Sequence, residues 1–207
     1  MRCYIFASAK ILSYDYLKSI DFSDSLVICA DGGIVHANKL GIECDIWLGD
    51  GDSLNDVGFS AKEKISFPVK KDNTDTDLAV ELALKRGYKD ITIIGGIGGR
   101  LDHEFSHFCL LKKIADSGAV GRLVDEKNTV TIKNRSFKIY PDGRKYVSFF
   151  PYGGDVENFS VKGLEYEAEG MTLECSKAQA SSNSFLGDTP GEVTFDKGCV
   201  LVITSDD

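Results

Sequence analysis

Four short stretches of this chain set aspartate among glycines or helix-starting residues just after an apolar run. They are Ala30-Asp31-Gly32-Gly33, Leu48-Gly49-Asp50-Gly51-Asp52-Ser53, Asp72-Asn73-Thr74-Asp75 and Gly95-Gly96-Ile97-Gly98-Gly99-Arg100-Leu101-Asp102. The runs before them, Val27-Ile28-Cys29-Ala30, Ile46-Trp47-Leu48, Ile65-Ser66-Phe67-Pro68-Val69 and Ile91-Thr92-Ile93-Ile94, have the length of buried strands. In an open α/β sheet the strand ends that carry βα turns lie along one edge, where ligands bind. Each turn alone reads as a helix cap or a tight turn. Four of them in register predict one carboxylate-lined site for phosphate and metal.

The first part of the chain alternates strand-like and helix-like segments, the pattern of a parallel sheet with helical crossovers. A helix is expected after Gly33, ending at Gly41, with Ile34, Ala37 and Leu40 inward. Another is expected from Thr74, where Thr74-x-x-Asp77 resembles a capping box, through Leu78, Leu82 and Ala83 to Gly87. A third follows Asp102, with Leu101, Phe105, Phe108, Leu111 and Ala115 at helical spacing and Gly118 as its stop.

Beyond Val124 the pattern changes to short alternating strands: Val130-Thr131-Ile132-Lys133, Phe137-Lys138-Ile139-Tyr140, then segments over 145–150, 159–161, 191–195 and 199–204. This predicts an α/β unit over residues 1–123 and a small antiparallel sandwich or barrel over 124–207, with the boundary within 118–128. No low-complexity linker separates them.

Composition narrows the function classes. The 24 Lys+Arg against 32 Asp+Glu give a formal net charge of -8, which offers no general attraction to nucleic acid or an anionic membrane. The apolar runs are too short to span a bilayer, and Met1-Arg2-Cys3-Tyr4-Ile5-Phe6 leads straight into a strand without a cleavable signal, so a cytoplasmic location is expected. The six cysteines form no Cys-x-x-Cys pair and read mostly as reduced core residues.

If Asp31, Asp50, Asp52, Asp75 and Asp102 converge, repulsion between two of them 4 Å apart costs roughly 1 kcal/mol in water and about 4 at an effective dielectric of 20. A cation between them resolves this. Mg2+ fits best, because it takes oxygen ligands and shares its shell between carboxylates and substrate phosphates. In residues 95–99, backbone N-H groups of Gly95, Gly96, Gly98 and Gly99 are expected to approach a phosphate chain at a helix start, with Arg100 forked onto its oxygens. Neither standard nucleotide-binding glycine fingerprint is matched. Asp77 reads as an acidic residue of a first helical turn. His103-Glu104-Phe105-Ser106-His107 is a literal H-E-x-x-H, the zinc protease signature, but that reading leaves the other aspartate turns unexplained. His36 reads as a surface or helix residue.

Taken in order and spacing, these four motifs resemble those of the thiamin pyrophosphokinase family. The resemblance continues into the second part, where Lys162-Gly163-Leu164-Glu165-Tyr166 and Ser181-Ser182-Asn183 resemble the family's acceptor-binding segments, with Tyr166 where the family often carries tryptophan. It implies a Rossmann-like parallel-sheet domain binding Mg-ATP, a C-terminal antiparallel β-sandwich, and a homodimer whose acceptor site lies between the α/β domain of one subunit and the sandwich of the other. The implied reaction is thiamin plus ATP giving thiamin diphosphate plus AMP. On this resemblance Asp50, Asp52 and Asp75 are metal candidates, with Asp31 and Asp102 beside them. Arg100, Asp72, Ser53 and the glycines of 95–99 belong to ATP, and Tyr166, Ser182 and Asn183 to thiamin. The alternatives are a pyrophosphokinase for another heterocyclic alcohol, such as a hydroxymethylpterin, and a regulatory module that binds Mg-nucleotide without turnover.

Overall fold

The structure is a computed structural model that describes residues 1–51, 59–67 and 73–207. The expectations placed on Asp52, Ser53 and Asp72 lie outside the described residues. The chain divides into two compact units, Met1–Glu126 and Lys127–Asp207. No helix among the described residues is long and apolar enough to cross a membrane.

The first unit is built on strands β1 (Arg2–Phe6), β2 (Ser25–Ala30), β3 (Cys44–Gly49), β4 (Ala61–Ser66), β5 (Asp90–Ile94) and β6 (Val120–Val124). They run in the order β4-β3-β2-β1-β5-β6, every adjacent pair parallel. The strands β1, β2, β3 and β5 are nearly continuous in Ile, Val, Leu, Cys and Phe because both faces are covered, which is what a parallel sheet requires. Helices α1 (Ile34–Leu40), α2 (Asp75–Lys85) and α3 (Leu101–Asp116) follow β2, β4 and β5.

Helix α1 starts and stops where its glycines dictate. A Cβ on Gly33 would sit 2.0 Å from the Phe6 carbonyl oxygen, so only glycine lets the helix start press against the end of β1. Gly41 ends it in the left-handed conformation. Helix α2 is capped as expected, with the Thr74 hydroxyl accepting from the Asp77 N-H at 3.2 Å.

Helix α3 departs from the expected inward face. Leu110, Leu111, Ile114 and Ala115 are buried, but Leu101 and Phe105 stand 78% and 60% exposed. In the first turns of α3 the apolar spacing therefore lines an outer surface rather than the core. Strand β4 also differs, since it begins before the expected segment and shares only Ile65 and Ser66 with it. Its sequence, Ala61-Lys62-Glu63-Lys64-Ile65-Ser66, is that of a charged edge strand paired on one side only, with β3.

The second unit contains β7 (Asn128–Lys133), β8 (Phe137–Ile139), β9 (Tyr146–Pro151), β10 (Val156–Lys162), β11 (Ala168–Leu173), β12 (Ala180–Ser184), β13 (Gly191–Thr194) and β14 (Val200–Ser205). Two antiparallel arrangements form, β12-β9-β14-β7 and β11-β10-β13-β8. Val147, Phe149 and Val202 from the first and Val156, Phe159, Val161 and Val193 from the second share one core, with Phe149 and Phe159 rings 5.7 Å apart. Strands β11 and β12 were not foreseen, because Glu169 and Gly170 break the apolar pattern of the first and Ser and Asn make up most of the second.

All six cysteines are free thiols. Cys3, Cys29 and Cys44 are buried, and burial pushes the Cys3 thiol up to about 12. Cys109 and Cys175 are exposed, so the expectation of core placement holds for only half of them.

Candidate active site

Parallel pairing brings the predicted turns to one edge. Phe6 is level with Cys29 of β2 and Ile94 of β5, Ala30 with Leu48, and Gly49 with Ser66. Asp31, Asp50 and Gly95 therefore leave the same end of neighbouring strands. The order β2-β1-β5 also contains the point where the chain changes direction across the sheet, a usual place for ligand binding. The segment after β1 completes this crevice. Ala7 N-H donates to the Ile94 carbonyl at 2.8 Å, Ala9 N-H to the Gly95 carbonyl at 2.9 Å, and the Ser8 hydroxyl to the Ala30 carbonyl at 3.2 Å. Sequence reading missed Ala7-Ser8-Ala9, whose small residues are its one signal.

Asp31 is the most constrained carboxylate of the edge. It is buried, its φ is +47°, and its Oδ1 has no hydrogen-bond partner among the described residues. A side chain held in the left-handed region and a buried oxygen without a donor both cost free energy, and both concentrate at functional sites. Trp47 holds the backbone there, its indole N-H donating to the Asp31 carbonyl at 3.1 Å. Gly49 packs on the other side, where an added Cβ would lie 3.1 Å from the Asp31 Cα. Asp50 follows directly and is half-buried. Trp47 was read only as a core residue, and its role beneath Asp31 is new.

Asp75 opens α2 and is half-buried. Asp77, two positions further along the helix, is a structural anchor. It accepts from Asn73 Nδ2 at 2.9 Å and from Lys113 Nζ at 2.6 Å, and Lys113 also reaches Glu81 at 2.6 Å. These bonds tie the Asn73-Thr74-Asp75 turn to α3. Among the described residues no group of three or more His, Cys, Asp or Glu side chains is arranged to hold a metal. The partnerless Asp31 oxygen beside Asp50 is nevertheless a hard-oxygen donor set of the type Mg2+ takes.

The glycine loop is held by α3. Glu104 Oε1 accepts the N-H groups of Gly98 and Gly99 at 2.9 and 2.8 Å. His107 Nδ1 lies 2.8 Å from the Gly96 carbonyl, and because a carbonyl only accepts, Nδ1 carries the proton. This accounts for the H-E-x-x-H motif: His103 is exposed, while Glu104 and His107 both turn to the loop. Arg100 forks onto Asp102, Nε to Oδ1 at 3.1 Å and Nη2 to Oδ2 at 2.6 Å. That hydrogen bonding lowers the Asp102 carboxyl and raises Arg100 still further, at an exposed position. Two of the N-H groups expected on a phosphate, and the Arg100 fork, are thus engaged by carboxylates of the chain itself.

His36 is a helix residue but a buried one. Its Nε2-H donates to the Ala9 carbonyl at 3.0 Å and its Nδ1 faces the Tyr14 hydroxyl at 2.7 Å. Burial lowers the basicity of His36 and of His107.

In the second unit the two predicted acceptor segments meet. Leu164 bridges Phe185, and Glu165 N-H donates to the Ser184 carbonyl at 2.9 Å. The buried Asn183 amide bonds neighbouring backbone through both of its polar atoms: Oδ1 accepts from Tyr166 N-H at 3.0 Å and Ser184 N-H at 2.9 Å, while Nδ2 donates to the Tyr166 carbonyl at 2.7 Å. Its work is therefore to hold Tyr166, whose ring is 63% exposed. Ser182 sits at φ +58° with its N-H on Ser148 Oγ at 2.9 Å.

Both units match known protein families. Residues 17–120 match the family profile described as "Thiamin pyrophosphokinase, catalytic domain" and residues 129–200 that of the "vitamin B1 binding domain". A thiamine pyrophosphokinase of Bacillus subtilis is 29% identical over 190 residues, 88% of each chain. The crystal structure of Bacillus subtilis thiamine pyrophosphokinase superposes with a TM-score of 0.90 at 26% identity, covering 100% of both chains. A Candida albicans thiamin pyrophosphokinase, at 14% identity, shares the fold with a TM-score of 0.79 over 99% of this chain and 89% of its own. The chain belongs to the thiamin pyrophosphokinase family.

Proposed function

We propose that this chain moves the pyrophosphoryl group of ATP to the hydroxyl of thiamin, with the aspartate edge of the first unit as the seat of the chemistry. The observation that carries the reading is the shared edge, where a buried carboxylate oxygen without a partner among the described residues stands between the glycine loop and the Asp50 turn. We read the first unit as a Rossmann-like domain for ATP and the second as a β-sandwich for thiamin.

In the reaction the thiamin hydroxyl oxygen forms a bond to the β-phosphorus as the bond from that phosphorus to the bridging oxygen breaks, and AMP leaves. The hydroxyl proton passes to a carboxylate of the Asp31, Asp50, Asp52, Asp75 and Asp102 set. Asp50, Asp52 and Asp75, with Asp31 beside them, are the residues that would hold Mg2+, which when bound neutralises charge on the polyphosphate. The loop over 95–99 shapes the phosphate cradle, and Arg100 turns from Asp102 to phosphate oxygens, exchanging one anion for another. Ser53 and Asp72 complete the nucleotide site on this reading. Alignment and charge neutralisation suffice, so no covalent nucleophile is needed.

Tyr166 offers an aromatic face to the cationic thiazolium ring, and Ser182 a polar contact beside it. The match to a vitamin B1 binding domain favours thiamin over a hydroxymethylpterin acceptor, and catalysis over a purely regulatory role. We take the enzyme to be a cytoplasmic homodimer with the acceptor site shared between subunits. Incubation with ATP, Mg2+ and thiamin is expected to give AMP and thiamin diphosphate on chromatography. ADP with thiamin monophosphate would instead mean ordinary kinase chemistry, and no product would remove the thiamin reading.

A further inference from the structure

Two side chains one helical turn apart on α3 grip the glycine loop at both ends. Glu104 takes two successive N-H groups, and His107, buried below it, takes the Gly96 carbonyl. The Glu104 backbone is part of the first helical turn of α3, its N-H donating to the Arg100 carbonyl at 3.1 Å. Residues three apart on a helix share a face, so α3 presents both groups to the loop at once.

A run with four glycines in five residues has more backbone freedom to lose than an ordinary sequence of its length. Were the loop free, that entropy would be charged against nucleotide binding. We propose that Glu104 and His107 are positioning residues that set the loop in its phosphate-receiving shape before ATP arrives. Gly98 and Gly99 then contribute the shape of the cradle rather than two donors to phosphate, because their N-H groups are already bonded to Glu104. The inference rests on assigning residues 95–99 to the ATP phosphates.

Four variants separate these ideas, each assayed with ATP varied at saturating thiamin and the reverse. Glu104→Ala is expected to raise the KM for ATP at least about fivefold, the scale of losing charge-assisted hydrogen bonds, while the KM for thiamin stays within about twofold. Glu104→Gln keeps an acceptor oxygen and is expected to restore most of the ATP KM. His107→Leu and His107→Asn form the parallel pair, the amide nitrogen of Asn standing near the place of Nδ1. Should Glu104→Ala lose its folded circular dichroism signal, this second pair decides the matter.

Gly98→Ala tests the loop assignment separately, because Gly98 at φ +92° tolerates no side chain without strain. If Gly98→Ala raises the ATP KM and neither Glu104→Ala nor His107→Leu does, the positioning role falls and the loop assignment stands. If none of the three changes it, the loop assignment falls as well. If both Glu104 variants lower the ATP KM, the carboxylate competes with phosphate rather than preparing its place, and the inference is overturned.

Discussion

Asp50 and Asp31 divide the work of the aspartate edge differently. Asp31 is locked by Trp47 behind it, by Gly49 against its Cα and by its own positive φ, so its carboxylate is fixed in direction. Asp50 is half-buried and follows the end of the next strand, β3. Asp50→Asn is expected to reduce turnover by more than about tenfold with the fold intact, because it removes a charge without changing volume. A wild-type rate with an unchanged denaturation midpoint would exclude Asp50 from the metal site. At the same scale, Asn183 bonds the backbone of Tyr166 through both polar atoms of its amide, Oδ1 to the N-H and Nδ2 to the carbonyl.

The elements most readable from the sequence are those whose pattern has one cause. The buried strands β1, β2, β3 and β5 are apolar because both faces are covered, and Thr74 and Gly41 mark helix ends through hydrogen bonding and φ. Strands β11 and β12 escaped because their contacts are peripheral and their residues small or charged. The aspartate turns were legible as a set, whereas the Glu104 and His107 clamp was hidden inside a motif that resembles a zinc site. Nothing in H-E-x-x-H says whether its side chains face a metal or a loop. Helix α3 also carries Leu101 and Phe105 outward, one turn apart, which a homodimer would cover. Light scattering is expected to give twice the chain mass, and Phe105→Glu to shift the protein toward monomer. A variant that stays dimeric would remove this face from the subunit contact.

For the whole molecule, the two buried histidines set a pH limit. Burial lowers the proton affinity of His36 and His107 in the folded chain, so the unfolded chain binds more protons near the ordinary histidine value of about 6.5. Their contribution to stability is complete above that value and is lost as pH falls through it toward the lower folded values. The thermal midpoint is therefore expected to fall between about pH 7 and about pH 5, with a shallower fall in His36→Gln. A midpoint that does not move over this interval would show that neither imidazole is held neutral by the fold. The exposed carboxylates Asp15, Asp21 and Asp102, lowered by their partners, act in a separate and more acidic window.

The polar sequence of β4 has a consequence of its own. Its outer side is the end of the hydrogen-bonding pattern in the first unit, and the alternation Lys62-Glu63-Lys64 lies along it. A second chain approaching to add a strand there would have to strip water from three charges in a row before gaining any backbone bond. The composition that disguises β4 as a loop is what keeps the sheet from growing between molecules at high concentration.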